Sequence, residues 1–253
     1  MKVCGNTDVG KSRTNNEDDY CLACNANQDW MGIVCDGIGG SMAGEVASHA
    51  ATITMYEAFH SAPVFEKDYQ VHDWIFDNLQ AANKKIYSKA RFSKKMRGMG
   101  TTAVGVIVCK IGTYIFNVGD SRVYAKYEDG FVQMSEDDSY VAQLVREGKL
   151  TLQQAKVHPK RNMLTNALGI WPNLQSVEIH KIDPEYSYLL VCSDGLHGYV
   201  DEEKMEEIIC DAWLPLPEKV QQLLQSANDA GGYDNCTAIV FDHTEVANVS
   251  TNS

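Results

Sequence analysis

Three aspartates stand where polar turns interrupt apolar runs: Asp36 in IVCDGIGG, Asp194 in LLVCSDG and Asp234 in GGYDNCT. Strand ends bring distant segments to one rim of a sheet, and carboxylates clustered there are stable when cations neutralise them. Oxygen donors favour Mg2+ or Mn2+ over zinc, and no His or Cys cluster stands at ligand spacing to argue otherwise. Taken singly, Asp before Gly is also an ordinary turn pair, because Asp tolerates left-handed backbone and bonds its own main chain. As a set, the three read as a hard-metal site.

The elements that must position them are visible in the hydropathy pattern. Apolar runs of strand length fall at 30–35, 102–109, 114–118, 122–127, 188–192 and 237–241, several of them separated by Gly, Asp or Asn turn signals. Little beyond residues 110–112 separates the second run from the third, too few for a crossover helix, so an antiparallel hairpin is expected. Helical stripes occur at Met42, Val46, Ala50 and Ile53; at Ile75, Leu79, Ala82 and Ile86; at Met205, Ile208, Ile209 and Ala212; and at Val220, Leu223, Leu224 and Ala227. Each stripe must be buried, and with this many strands a sheet face is the available partner. Helices are therefore expected outside the sheets. The polar segment 137–161, with a short helical pattern at Val141, Leu144 and Val145, is expected as a flap inserted over the surface.

The 253 residues are 44% hydrophobic and 22% charged, the profile of a globular chain that buries a core. A single domain spanning 1–243 is expected, with a short tail at 244–253. Basic residues number 22 against 34 acidic ones, a net charge of -12. That balance repels the phosphates of nucleic acid and of anionic membranes, and neither partner is expected. An anionic substrate then needs local cations at the site. No apolar run of about 18 residues occurs, and the opening MKVCGNTDVGKSR has no secretory pattern, so a cytoplasmic protein is expected. The eight cysteines are expected as free thiols packed like small hydrophobes. Cys21 and Cys24 form a C-x-x-C, but no second pair follows at zinc-site distance.

Around the aspartates the chain carries TDVGKSRTNNED (7–18), DGIGG, GTT (100–102), NVGDSR (117–122), RNMLTNALG (161–169), CSDGL and GGYDNCT. In this order and across nearly the whole chain, these motifs resemble the bacterial branch of the PP2C (PPM) serine/threonine protein phosphatases. The resemblance implies an α+β fold, a four-layer α-β-β-α sandwich of two antiparallel sheets flanked by helices. It implies Mn2+ or Mg2+ as cofactors: Asp36 bridging two ions, the Gly37 carbonyl on one, Asp194 and Asp234 on the other, and Asp120 with Asp194 on a third. Arg13 would clamp the phosphate, since a guanidinium gives it two parallel hydrogen bonds. Glu17 and Asp18 would orient waters around the ions, and Gly39 and Gly40 would let the backbone come close.

The implied reaction is hydrolysis of phosphoserine and phosphothreonine by a water that two ions share and acidify. The implied partners are phosphorylated proteins, including a Ser/Thr kinase that the enzyme opposes and that kinase's substrates, with the phosphatase itself a monomer. A pseudophosphatase would have lost ligands, and here every proposed ligand is present; a hydrolase of small phosphate esters stays open. The chain also departs from the family pattern. Ile38 stands where many eukaryotic relatives carry a candidate proton-donating His. Ser41 and Asp137-Asp138-Ser139 replace a His after DGxGG and an Asp-His-Ser, so no catalytic histidine is assigned, and His197 is expected as a loop or core residue.

Overall fold

A strand that is apolar at every position needs a packing partner on both faces. The chain meets that need by stacking two sheets and covering each with helices. The structure, a computed structural model, describes residues 1–39 and 43–244. The expectations for Gly40, Ser41 and Met42, and for nearly all of the tail, lie outside the described residues.

In chain order the strands are β1 (Lys2–Asp8), β2 (Asp18–Cys24), β3 (Trp30–Ile38), β4 (Gly100–Thr101), β5 (Ala103–Cys109), β6 (Gly112–Val118), β7 (Arg122–Tyr127), β8 (Gly130–Gln133), β9 (Glu178–Ile182), β10 (Tyr188–Cys192) and β11 (Cys236–Asp242). The helices are α1 (Ala43–His60), α2 (Asp68–Phe92), α3 (Tyr140–Arg146), α4 (Leu152–Lys156), α5 (Asp194–His197), α6 (Glu202–Cys210) and α7 (Leu216–Asp229). One sheet runs β1-β11-β10-β7-β8; the other runs β2-β3-β5-β6-β9, with β4 beside β3. Every pairing is antiparallel, and β5 and β6 form the expected hairpin, closing at Cys109 opposite Gly112.

Alternation along the strands separates the core into three layers. In β11, Ile239 and Phe241 face the other sheet, while Ala238 and Val240 face the α6–α7 layer. In β3, Val34 faces between the sheets and Ile33 and Cys35 face the α1–α2 layer. The result is the α-β-β-α order. Helix α2 buries Ile75, Leu79, Ala82 and Ile86 completely, and each of its larger aliphatic side chains contributes about 1.5–3 kcal/mol by leaving water.

Two stripes differ from expectation. The buried face of α1 is built from Ala43, Ala47, Ala50, Ala51, Met55 and Phe59, which leaves Ile53 40% exposed. Small residues there let the helix lie close on the sheet. Ala212 falls past the end of α6 and is exposed. The cysteines are free, but Cys24 and Cys210 are exposed rather than packed. No helix among the described residues is long and apolar enough to cross a membrane.

Candidate metal and phosphate site

The aspartates come from segments far apart in sequence, and the sheet ends carry them to one rim. Asp36 lies near the end of β3, opposite Asp18 at the start of β2. Residues Thr101 and Thr102 hold that strand end: the Asp36 N–H donates to Thr102 Oγ1 at 2.9 Å, and its carbonyl accepts from the Thr102 N–H and Thr101 Oγ1, each at 2.9 Å. Gly37 follows, its N–H donating to the Glu17 carbonyl at 3.0 Å. A Cβ on Gly37 would collide with the Gly44 and Glu17 carbonyls, so only glycine fits this approach. Asp120 sits in the turn from β6 to β7, Asp194 opens α5 just beyond β10, and Asp234 precedes β11.

Hydroxyls and amides lock these segments together. Asp18 is buried, and its Oδ2 accepts from Ser193 Oγ and Thr237 Oγ1, both at 2.7 Å. Asn235 Oδ1 accepts from the Glu17 N–H at 2.8 Å, while its Nδ2 donates to the carbonyls of Val9 (2.9 Å) and Asn15 (3.0 Å). That staple fixes the loop bearing Arg13, whose Nη2 donates to Asp234 Oδ2 at 2.8 Å.

A cleft of about 580 Å³ is lined by Arg13, Glu17, Asp36, Gly37, Asp120, Asp194 and Asp234; Asp18 supports it from behind. Among the described residues no three acidic, His or Cys side chains close around a single ligand point. They ring the cleft instead. A cavity of similar size, about 560 Å³, lies apart from this rim between α1 and α2, lined by residues such as His49, Glu57 and Lys85.

Crowding shows in the electrostatics. Burial first, then the charges of Asp18, Asp194 and Asp120, push the Asp36 carboxyl well above its usual range. Asp120 is raised by burial and by Asp194, and Asp194 by burial and by Asp234. Burial takes Asp18 up to about 7, against the pull of the Ser193 and Thr237 hydroxyls. Glu17 Oε1 and Asp18 Oδ1 are buried without any hydrogen-bond partner. Orphaned carboxylate oxygens beside mutually repelling carboxylates make a donor set suited to hard divalent cations, so the residues present fit the expected Mg2+ or Mn2+.

Ile38 lines the cleft and has no proton to give. His197 is not among the residues lining the cleft: its Nε2–H donates to the Asp120 carbonyl at 2.9 Å, and desolvation lowers its pKa to about 3. Cys35, Cys192 and Cys236 are buried in strands, and burial raises all three thiols, Cys192 to about 12. Ser193, Thr237 and Asn235 lie inside the motifs, but the sequence assigns them no role; Ser193 and Asn235 each adjoin a site aspartate, the one available signal, and Thr237 lacks even that. Trp171, on the cleft rim, had no signal at all.

A family model described as protein phosphatase 2C matches residues 10–230. The chain is 35% identical over 237 residues to the serine/threonine phosphatase stp of Listeria innocua, covering 93% of each chain. It is 31% identical to protein phosphatase PhpP of Streptococcus pneumoniae, covering 97% of this chain and 98% of that one. The crystal structure of serine/threonine phosphatase Stp1 from Staphylococcus aureus superposes with a TM-score of 0.89 at 32% identity, covering 96% of this chain and 94% of that one. Fold and sequence thus define a protein phosphatase. The chain belongs to the bacterial protein phosphatase 2C family, the class of serine/threonine protein phosphatases that its motifs resemble.

Proposed function

We propose that this phosphatase hydrolyses phosphoserine and phosphothreonine on proteins with two Mg2+ or Mn2+ ions at the acidic rim, opposing a Ser/Thr protein kinase. The observation that carries this reading is the pair of buried, unpartnered oxygens, Glu17 Oε1 and Asp18 Oδ1, at a cleft where carboxylates face Arg13. The names of the relatives, serine/threonine phosphatases, support the substrate class.

Asp36, the Gly37 carbonyl, Asp194 and Asp234 would hold the two ions, with Asp120 and Asp194 available to a third. Bound there, the ions would supply the positive charge that acidifies a water for attack on phosphorus. Arg13 binds the phosphate oxygens and aligns the ester. Asp18, fixed by Ser193 and Thr237, and Glu17 orient water at the rim. Ile38 and the apolar wall beside it leave protonation of the departing alkoxide to solvent. Residues 137–161 form a flap beside the cleft, and the enzyme acts as a cytoplasmic monomer. The test is a metal-titrated assay on phosphothreonine, phosphoserine and phosphotyrosine peptides. Turnover of the first two that rises with Mn2+ is expected, with Asp36→Asn and Asp194→Asn inactive. Full activity in both variants would sink the proposal.

A further inference from the structure

Gly169 and α2 hold an exposed tryptophan at the mouth of the cleft. Trp171 is 54% exposed, and it lines the same cavity as Arg13 and Asp36. The loop beneath it is tied on several sides. Thr101 and Leu168 exchange backbone hydrogen bonds of 3.1 and 2.9 Å. Asn83 of α2 is buried at 1% exposure and uses both ends of its amide here: Oδ1 accepts from the Gly169 N–H at 2.7 Å, and Nδ2 donates to the Trp171 carbonyl at 3.0 Å. Gly169 has φ +87° and presses on Ile86, where a Cβ would collide. Gln80 accepts from the Leu174 N–H at 2.8 Å and fixes the far side. A loop held this firmly keeps a large apolar side chain, with Ile170 next to it, in water rather than folding it into the core. Exposed aromatics on rigid supports bind with little ordering cost.

We infer that Trp171, positioned by Asn83, is a substrate-specificity residue that receives an apolar side chain one or two positions from the phosphoresidue. This rests on the proposed reaction. The occupant follows from continuity: a peptide whose phosphate meets Arg13 runs at about 3.3–3.6 Å per residue, so its flanking side chains reach the walls of this cleft. The ledge is uncharged, so it selects for apolar area and not for a charge pattern.

The test is a set of phosphothreonine peptides with Leu, Phe, Ala or Asp at each flanking position. For the wild type, Leu or Phe at one position should raise kcat/KM about fivefold or more over Ala. In Trp171→Ala that ratio should fall to about one, and in Trp171→Phe it should persist. Asn83→Ala should weaken the preference by loosening the loop. Equal kcat/KM for all flanking residues in the wild type overturns the inference alone, as does a preference that Trp171→Ala retains. No turnover of any peptide overturns the phosphatase reaction and this inference with it.

Discussion

Among the described residues Arg13 is the one cation lining a cleft of carboxylates, and its staple through Asn235 explains how an arginine with a 47% exposed side chain holds its place. A planar guanidinium presents two donors to a phosphate dianion, whereas lysine presents a point charge. Arg13→Ala should lower kcat/KM on a phosphothreonine peptide about a hundredfold, ~2.7 kcal/mol of barrier, with Arg13→Lys recovering only part. Steady-state kinetics reads this directly, and an unchanged kcat/KM in Arg13→Ala would remove Arg13 from the phosphate. At this scale most of the rim was legible before the fold: acidic residues at strand ends declare themselves because turn chemistry and apolar runs meet there. Their partners did not. Ser193 and Thr237 act on Asp18 across more than 170 residues of sequence, and hydroxyls carry no charge to mark them.

Among the elements, central strands were readable because burial on both faces leaves them uninterruptedly apolar, as in β5, β6 and β10. Strands β1, β8 and β9 were not, since their half-exposed residues mix polar with apolar and blur the two-residue period. The buried stripe of α1 lies one row from the expected one, because alanines make its buried face and Ile53 does not. Strand β9 carries a pH-sensitive tie to the excursion that follows β8. Glu178 Oε2 accepts from the Glu136 N–H at 2.8 Å, and burial lifts its pKa to about 7, with Glu136 and Asp138 adding to the rise. Because the folded value lies above the ordinary 4.5, its stabilising contribution is full below about pH 4.5 and is lost as pH climbs through 7. Glu178→Gln keeps the acceptor without the charge. Thermal melts of wild type and variant should therefore diverge between pH 4.5 and 7.5, the wild type losing ground; parallel curves would show that Glu178 does not titrate in this way.

Across the molecule, the stacked sheets solve a problem that the net charge of -12 sets. A phosphorylated substrate must reach an acidic protein, and the sandwich gathers acidic side chains from β2, β3, the β6–β7 turn, α5 and the approach to β11 at one rim, where cations can reverse the local sign. The same gathering stores repulsion, seen in the raised carboxyls of Asp36, Asp120 and Asp194. Ions that relieve it would bind the folded chain alone and so stabilise it, by about 2.7 kcal/mol when present at 100 times their Kd. Calorimetric titration of Mn2+ into chelator-treated protein addresses that claim most directly. Two or more ions per chain are expected for the wild type, with at least one lost in both Asp36→Asn and Asp194→Asn. No binding heat in the wild type, or the same stoichiometry in both variants, would contradict a metal centre at this rim.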